Sequence, residues 1–135
     1  MSQENVEVVR RLWAAAERHD SELVFALYDP DIVWGSPASH GPLEVGGFYH
    51  GHDGVRQFFR AFLESFESYE AHAEKIEEAG DRVLVRYRVS GRGKGSGVEV
   101  AMQRWNVYEL RGALVVRVKV FETEAEALEA VGLRE

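Results

Sequence analysis

The sequence predicts an α+β domain in which helices come first and long antiparallel strands follow. In the first half, apolar residues recur every three or four positions, as they do on one face of a helix. In the second half, apolar and polar residues alternate, as they do along a strand. Because the helical and extended segments are segregated, the order is not that of a parallel α/β fold. The chain has 135 residues, which suits a single domain over 1–135.

Three helices are predicted in the first half. The first covers 4–19, where an apolar stripe includes Trp13. The second covers 21–28 and stops near Asp29-Pro30, because the residue before a proline avoids the helical conformation. Asp53 is expected to cap the third helix, and its sequence, GVRQFFRAFLESF, carries a strongly aromatic stripe.

A short β segment, 32–34, and a long loop separate the second helix from the third. The stretch GSPASHGPLEVGG contains two of the three prolines and four glycines, which is typical of irregular structure. Loops of this length in a compact domain are commonly lids or rims of binding sites. We therefore expect the 35–50 region to close a pocket.

The second half is predicted to be a meander of strands that ends in a short helix. Segment 71–77 is ambiguous and fits an edge strand, and the clearer strands are 82–90, 98–110 and 114–122. The glycine-rich connection SGRGKGSG lacks the order of a phosphate-binding loop, so we expect no cofactor there or elsewhere. Thr123–Glu126 has the pattern of a capping box, which opens a helix that ends near Gly132.

Composition and charge exclude several functional classes. The net charge of −7 disfavours binding to nucleic acid or to anionic membranes. No apolar run approaches the ~20 residues that a membrane-spanning helix requires. The chain has no cysteine, and its N-terminal segment lacks the basic and apolar regions of a secretory signal. We expect a cytoplasmic protein with neither nucleic-acid nor membrane partners.

The order of several short motifs resembles a known family. The motifs are ALYDPDIVW (26–34), FYHGHDGVR (48–56), GDRV (80–83), NVYELRGALVVRVKVF (106–121) and EALEAVGL (126–133). Together they resemble the SnoaL-like, polyketide-cyclase branch of the nuclear-transport-factor-2-like (NTF2-like) superfamily over nearly the whole chain. The resemblance implies a cone-shaped fold, with three N-terminal helices packed on a strongly curved antiparallel sheet and a short C-terminal helix. It also implies a homodimer through the sheet face and an apolar pocket open at one end.

The catalytic positions that the resemblance implies are occupied by unsuitable residues. Ketosteroid-isomerase chemistry needs an ionised carboxylate base and two acidic donors. Ser36 occupies the position of the base, Leu12 or Trp13 that of the helix donor, and Arg104 or Trp105 that of the strand donor. The histidine that SnoaL-type cyclases use is replaced by Asn106. An epoxide hydrolase would need two aspartates around an arginine, and the sequence offers no such pair. Whether the protein is an enzyme stays open.

A pocket lining can still be predicted from the strand alternation and the aromatic residues. If the even-numbered residues of strand 98–110 face inward, they line the pocket together with aromatic walls. The predicted ligand-binding residues are Trp13, Tyr28, Trp34, Tyr49, Phe59, Phe62, Met102, Arg104, Asn106, Tyr108 and Phe121. Aromatic stripes at helical spacing are more often core than ligand contacts, so a purely structural role is the alternative. A buried Arg104 would need Glu99, Glu122 or a ligand as its partner.

The histidines near the long loop are candidates for acid–base catalysis. His50 or His40 is the first choice, and Arg104 is the third catalytic candidate, because histidine titrates near neutral pH. The run His50-Gly51-His52-Asp53 also suggests a metal site, but such a site needs further ligands. We favour the alternative, in which Asp53 caps a helix and His52 is solvated, and expect no metal.

Two functional classes follow from these observations. The first is a protein that binds a small apolar or aromatic molecule in its pocket and that is a candidate for proton-transfer, cyclisation or hydration chemistry. The second is a non-catalytic binding or protein-interaction module whose pocket is filled by side chains. A large cavity with convergent polar groups would favour the first class, and a filled interior would favour the second.

Overall fold

A computed structural model describes residues 2–36 and 47–132 of the chain. It has four helices and six strands in these ranges. The helices are α1 (Ser2–Glu17), α2 (Ser21–Ala26), α3 (Gly51–Glu64) and α4 (Glu124–Ala130). The strands are β1 (Tyr28–Ser36), β2 (Gly47–His50), β3 (Phe66–Ala79), β4 (Arg82–Gly93), β5 (Glu99–Arg111) and β6 (Leu114–Phe121). The predicted order of three helices, a set of strands and a final helix is therefore confirmed.

All six strands form one sheet in the order β2-β1-β6-β5-β4-β3. Four of its pairings are antiparallel, as expected. The pairing of β1 with β6 is parallel, because the chain reaches β6 only after the whole meander and returns to lie beside its first strand. Strand β3, at one edge, pairs with β4 along almost its whole length and has register shifts near both ends of 66–75.

The inner face of the sheet carries the main hydrophobic core. Alternate residues of β4, namely Val83, Val85, Tyr87 and Val89, point toward α1 and join a cluster that also contains Trp13 and Tyr108. Helix α1 packs on β3 and β4, whereas α3 packs on β1, β2 and β3. The helices therefore cover opposite sides of the same face, and the space between them becomes the candidate site.

The outer face of the sheet has its own smaller core under α4. Ala127 of this helix is fully buried against Ala79, Leu84 and Val107. Thr123 caps α4 as predicted, since its hydroxyl accepts a hydrogen bond from the backbone N–H of Glu126 at 3.2 Å. Both faces of the sheet were expected to need cover, and α4 supplies part of the second cover from within the chain. The homodimer through the sheet face stays a prediction.

Several predicted boundaries were wrong. Helix α2 ends at Ala26, and Tyr28 already belongs to β1, because its backbone is drawn into the pairing with Val115 of β6. Helix α3 begins at Gly51, so His50 occupies the N-cap position and Asp53 lies within the first turn. Most of the predicted loop, residues 37–46, lies outside the described residues. None of the helices in the described ranges is long and apolar enough to cross a membrane.

Candidate ligand-binding cavity

A cavity of about 530 Å³ lies between the inner face of the sheet and helices α1, α2 and α3. Its walls are mainly apolar and aromatic. Helix α1 contributes Leu12, Trp13 and Ala16, and α3 contributes Phe58, Phe59, Phe62 and Leu63. The volume is within the range of small-molecule sites, which are typically apolar with a few placed polar groups.

The aromatic stripe of α3 forms one wall as a continuous series of ring contacts. The ring centroids of Trp34 and Phe58 lie 4.6 Å apart, and those of Trp34 and Phe59 lie 5.1 Å apart. Phe62 continues the series to Tyr69 of β3, with its ring in an edge-on contact at 5.2 Å. Tilted and edge-on contacts at these separations are favourable for aromatic pairs. This wall is therefore held in place from both β1 and β3.

The inner end of the cavity carries a polar network. The indole Nε1 of Trp13 donates a hydrogen bond to the Tyr108 hydroxyl at 2.9 Å, and the amide Nδ2 of Asn106 donates to the same oxygen at 3.1 Å. All three side chains are buried, and Asn106 is only 4% exposed. The carbonyl oxygen Oδ1 of Asn106 has no hydrogen-bond partner among the described residues. The cavity thus contains a buried acceptor that is free to bind a donor.

Four tyrosines surround this polar end, and burial raises the pKa of each of them. The pKa is raised to about 12 for both Tyr69 and Tyr108. The pKa of Tyr28 and that of Tyr87 are also raised, first by burial and then by the proximity of Tyr108. Ionising a phenol away from water is unfavourable, so these side chains remain neutral hydrogen-bonding groups.

Arg104 lines the cavity but is already engaged by the protein. Its Nη1 donates to the backbone carbonyl of Gln103 at 2.9 Å, and its Nη2 lies 3.9 Å from the Glu122 carboxylate. Glu122 is one of the three partners that the sequence suggested. The side chain remains 24% exposed, so part of the guanidinium still faces the cavity.

The mouth of the cavity is formed at the junction of α1 and α2. His19 has a left-handed backbone with φ of 60°, and its N–H bonds to the Ala16 carbonyl at 3.1 Å. Asp20, the next residue, caps α2 by accepting a hydrogen bond from the N–H of Leu23 at 3.2 Å. Both line the cavity, and His19 also borders an adjacent open groove. The sequence gave no signal for His19, because an exposed histidine after a helix has no distinctive pattern.

Nine of the eleven predicted binding residues lie around the cavity. They are Trp13, Tyr28, Trp34, Phe59, Phe62, Met102, Arg104, Asn106 and Tyr108. Their role in binding a ligand stays a prediction. Tyr87, which lies in the inward-facing row of β4, is a lining residue that the sequence analysis missed although the alternation of that strand could have shown it.

The other two predicted lining residues do not reach the cavity. Tyr49 lies on β2, where its ring packs against Phe58 at 4.9 Å on the far side of the aromatic wall. Phe121 follows the inward-facing Val120, so strand alternation turns it to the outer face, where it packs in the core under α4.

The histidine candidates are also separated from the cavity. His50 is exposed at the start of α3, and His40 lies outside the described residues. His52 is not simply solvated, because its Nε2 donates to the Tyr28 carbonyl at 3.0 Å. Within 2–36 and 47–132, no group of three or more histidine or acidic side chains is placed to hold a metal.

Comparisons with known proteins agree with this architecture. The family model for the SnoaL-like domain matches residues 9–118. An NTF2-like protein from Burkholderia thailandensis E264 superposes with a TM-score of 0.78 at 26% identity, covering 93% of this chain and 95% of that one. An NTF2-like protein of unknown function from Burkholderia pseudomallei K96243 has the same TM-score at 24% identity, with 95% and 97% covered.

A third similar structure has a ligand in its crystals. TerC co-crystallised with polyporic acid superposes with a TM-score of 0.77 at 20% identity, covering 96% of this chain and 98% of that one. These superpositions show the NTF2-like fold that the sequence predicted. A search of curated proteins gave no match.

Proposed function

Because the chain belongs to the family of SnoaL-like domains, we propose that it binds a small, largely apolar molecule in the cavity between its helices and its sheet. The observation that carries the proposal is the buried Oδ1 of Asn106, which faces a space of about 530 Å³ without a hydrogen-bond donor among the described residues. Buried polar atoms in proteins are normally paired, so an unpaired one beside an open space points to a ligand.

The size and lining of the cavity count against the alternative of a filled interaction module. A filled module would pack the rings of α3 directly on α1, as close-packed protein interiors do. Here rings of both helices face a common space, and the described polar groups converge at its inner end. A binding role is therefore favoured over a purely structural one.

The proposal extends to a proton-transfer, cyclisation or hydration step only at the mouth of the cavity. Imidazole and carboxylate groups are the usual side chains for moving a proton. Among the described lining residues they are His19 and Asp20, both at the mouth. Arg104 is suited to holding a carbonyl oxygen or an anion rather than to accepting a proton. A turnover assay on an identified ligand, with His19→Gln compared with the unchanged protein, tests this extension, and equal rates would refute it.

A thermal-shift screen tests binding directly. The panel contains planar polyketides, steroids, terpenoid epoxides, small aromatic acids and polyporic acid, the last because it was co-crystallised with a protein of the same fold. A ligand at a hundred times its dissociation constant adds about 2.7 kcal/mol to the free energy of unfolding. For a chain of this length that corresponds to a rise in Tm of roughly 9 °C.

Two matched variants distinguish cavity binding from surface binding. Ala16 lines the cavity, whereas Ala14 on the same helix is exposed. Ala16→Phe should fill part of the cavity and abolish the shift, and Ala14→Phe should leave it unchanged. Arg104→Ala, measured in parallel, reports whether the guanidinium takes part. The absence of any shift across the panel would refute the proposed function.

The expected homodimer is part of the same proposal. Its support is the outer face of β4 and β5 beyond α4, where Glu74 pairs with Arg86 and Arg88 and accepts a hydrogen bond from Gln103 at 2.6 Å. This preformed polar group could meet the same group of a second copy. Light scattering during gel filtration tests it, since a single mass of 15.3 kDa at micromolar concentration would contradict it.

A further inference from the structure

The polar end of the cavity offers more than a single free acceptor. The Tyr108 hydroxyl oxygen accepts from both Trp13 and Asn106, at 2.9 and 3.1 Å. A phenolic oxygen has two acceptor positions and one donor hydrogen, so both of its acceptor positions are used. Its own hydrogen has no acceptor in the part of the chain that the structure describes. Tyr108 is thus left as a hydrogen-bond donor.

The free donor and the free acceptor are neighbours. Asn106 and Tyr108 lie two residues apart on β5, so their side chains leave the same face of the strand, and both border the cavity. Since the Asn106 amide nitrogen touches the Tyr108 hydroxyl, the amide oxygen lies within a few ångströms of it as well. A ligand could satisfy both groups with two adjacent polar atoms.

The surroundings of this pair are neutral. Burial keeps the pKa of Tyr108 raised, to about 12, and that of Tyr28 raised beside it. The only arginine or lysine among the described lining residues is Arg104, which is directed to the Gln103 carbonyl and to Glu122. An anionic group at the inner end would therefore lack a free counter-charge, and burying an unpaired charge is strongly unfavourable.

We propose, on the basis of the proposed function, that the cavity selects neutral ring compounds bearing two adjacent polar groups, with a donor for Asn106 Oδ1 and an acceptor for the Tyr108 hydroxyl. Vicinal diphenols and ring systems with neighbouring hydroxyl and carbonyl groups belong to this class. Asn106 is then the specificity-determining residue, because it rewards a ligand hydroxyl and is left unpaired by an ether or a hydrocarbon of the same shape.

A methylation series tests the requirement for a donor. The probes are 2,3-dihydroxynaphthalene, its monomethyl ether and its dimethyl ether, which share one ring system and carry two, one and no donor hydrogens. Binding is followed by NMR titration of the ¹⁵N-labelled protein, using the Asn106 side-chain amide and the Trp13 indole N–H as reporters. The diol and the monoether should bind with similar dissociation constants, and the dimethyl ether about tenfold more weakly, the factor that one net hydrogen bond provides.

The series separates a lost donor from added bulk, because the first methyl group adds volume but leaves one donor. The matched variants are Asn106→Leu, which removes the acceptor at similar volume, and Met102→Leu, which changes another inward residue of β5 without a hydrogen-bonding group. Asn106→Leu should bring the diol to the affinity of the dimethyl ether, and Met102→Leu should preserve the difference. The titrations of the unchanged protein need no variant to fold.

Each other outcome has a distinct meaning. If all three probes bind alike, a fixed water satisfies Oδ1 and this inference is overturned, while the proposed binding function stands. If the dimethyl ether binds best, the amide presents its nitrogen to the ligand and the proposed class is wrong. If no ring compound binds at any position in the cavity, the proposed function and this inference fail together.

Discussion

Removing the Tyr108 hydroxyl should destabilise the protein far more than removing a neighbouring hydroxyl. In Tyr108→Phe the ring is kept, but Trp13 Nε1–H and Asn106 Nδ2–H both lose their acceptor. Tyr87 provides the matched control. It is also buried and borders the same cavity, but its hydroxyl has no hydrogen bond to any described residue. The two substitutions therefore remove the same atom from the same environment with different numbers of broken bonds.

The magnitude follows from the two donors. A buried polar group that loses its partner costs about 1–3 kcal/mol, and cavity water can recover part of that cost. We expect Tyr108→Phe to lower the free energy of unfolding by about 2–4 kcal/mol, or roughly 7–14 °C in Tm for this chain length. Tyr87→Phe should change it by less than about 1 kcal/mol, because no hydrogen bond is lost.

Urea denaturation followed by tryptophan fluorescence measures both variants. The transition midpoint should move with an unchanged slope, since the surface exposed on unfolding is the same. A Trp13→Phe background provides a double-mutant cycle, and part of the Tyr108→Phe cost should disappear there. Equal costs for Tyr108→Phe and Tyr87→Phe would refute the network as a source of stability, whatever the absolute values.

Three further predictions concern the mouth, the edge of the sheet and the tyrosines. His19→Gly should raise the free energy of unfolding by up to about 1 kcal/mol, because φ of 60° suits glycine better, and a lower Tm would contradict this. Gly35→Ala should cost more than about 2 kcal/mol in urea denaturation, since its Cβ would collide with the backbone of Gly47, and a cost near zero would show that β2 yields easily. The raised pKa values of Tyr69 and Tyr108, both about 12, mean that the unfolded chain loses these protons first. Stability should therefore be full below pH 10 and fall between about pH 10 and 12, by up to about 1.4 kcal/mol per pH unit for each group. An absorbance titration at 295 nm in which every tyrosine ionises near pH 10 would contradict this.

The elements that the sequence predicted well are those whose pattern agrees with their environment. The inward row of β5 follows from simple alternation, and the even-numbered residues do face the helices. The aromatic stripe of α3 was likewise evident, because four phenylalanines at helical spacing need a common surface. The stretch EAHAEKIEEA (70–79) was harder, since its composition favours a helix. It is extended because pairing with β4 along its length outweighs local propensity.

The candidate site was less predictable than the fold, for two physical reasons. Which face of a strand is inward depends on register and bulges, and the misplaced Phe121 lies at the end of β6, beyond a register shift in its pairing with β5. Hydrogen-bond satisfaction is a property of three-dimensional contacts, so no sequence pattern marks Asn106 as half-paired. The sequence showed only that an asparagine occupies the position where the resembling family has a histidine. What that asparagine accepts became a question only when its amide nitrogen was found to be bound to Tyr108.

Several features that reduce stability occur together at one place in this molecule. The left-handed His19 lies at the mouth of the cavity, the unpaired Asn106 Oδ1 lies at its inner end, and about 530 Å³ between them is not filled by side chains. A single substitution could relieve each of them: glycine at the first, leucine at the second, and a larger side chain at Ala16 for the third. Such features tend to persist at binding sites, where the surrounding structure maintains them. If the three stabilising substitutions also weakened binding of the same probe, stability and function would be opposed at this cavity, as the proposal requires.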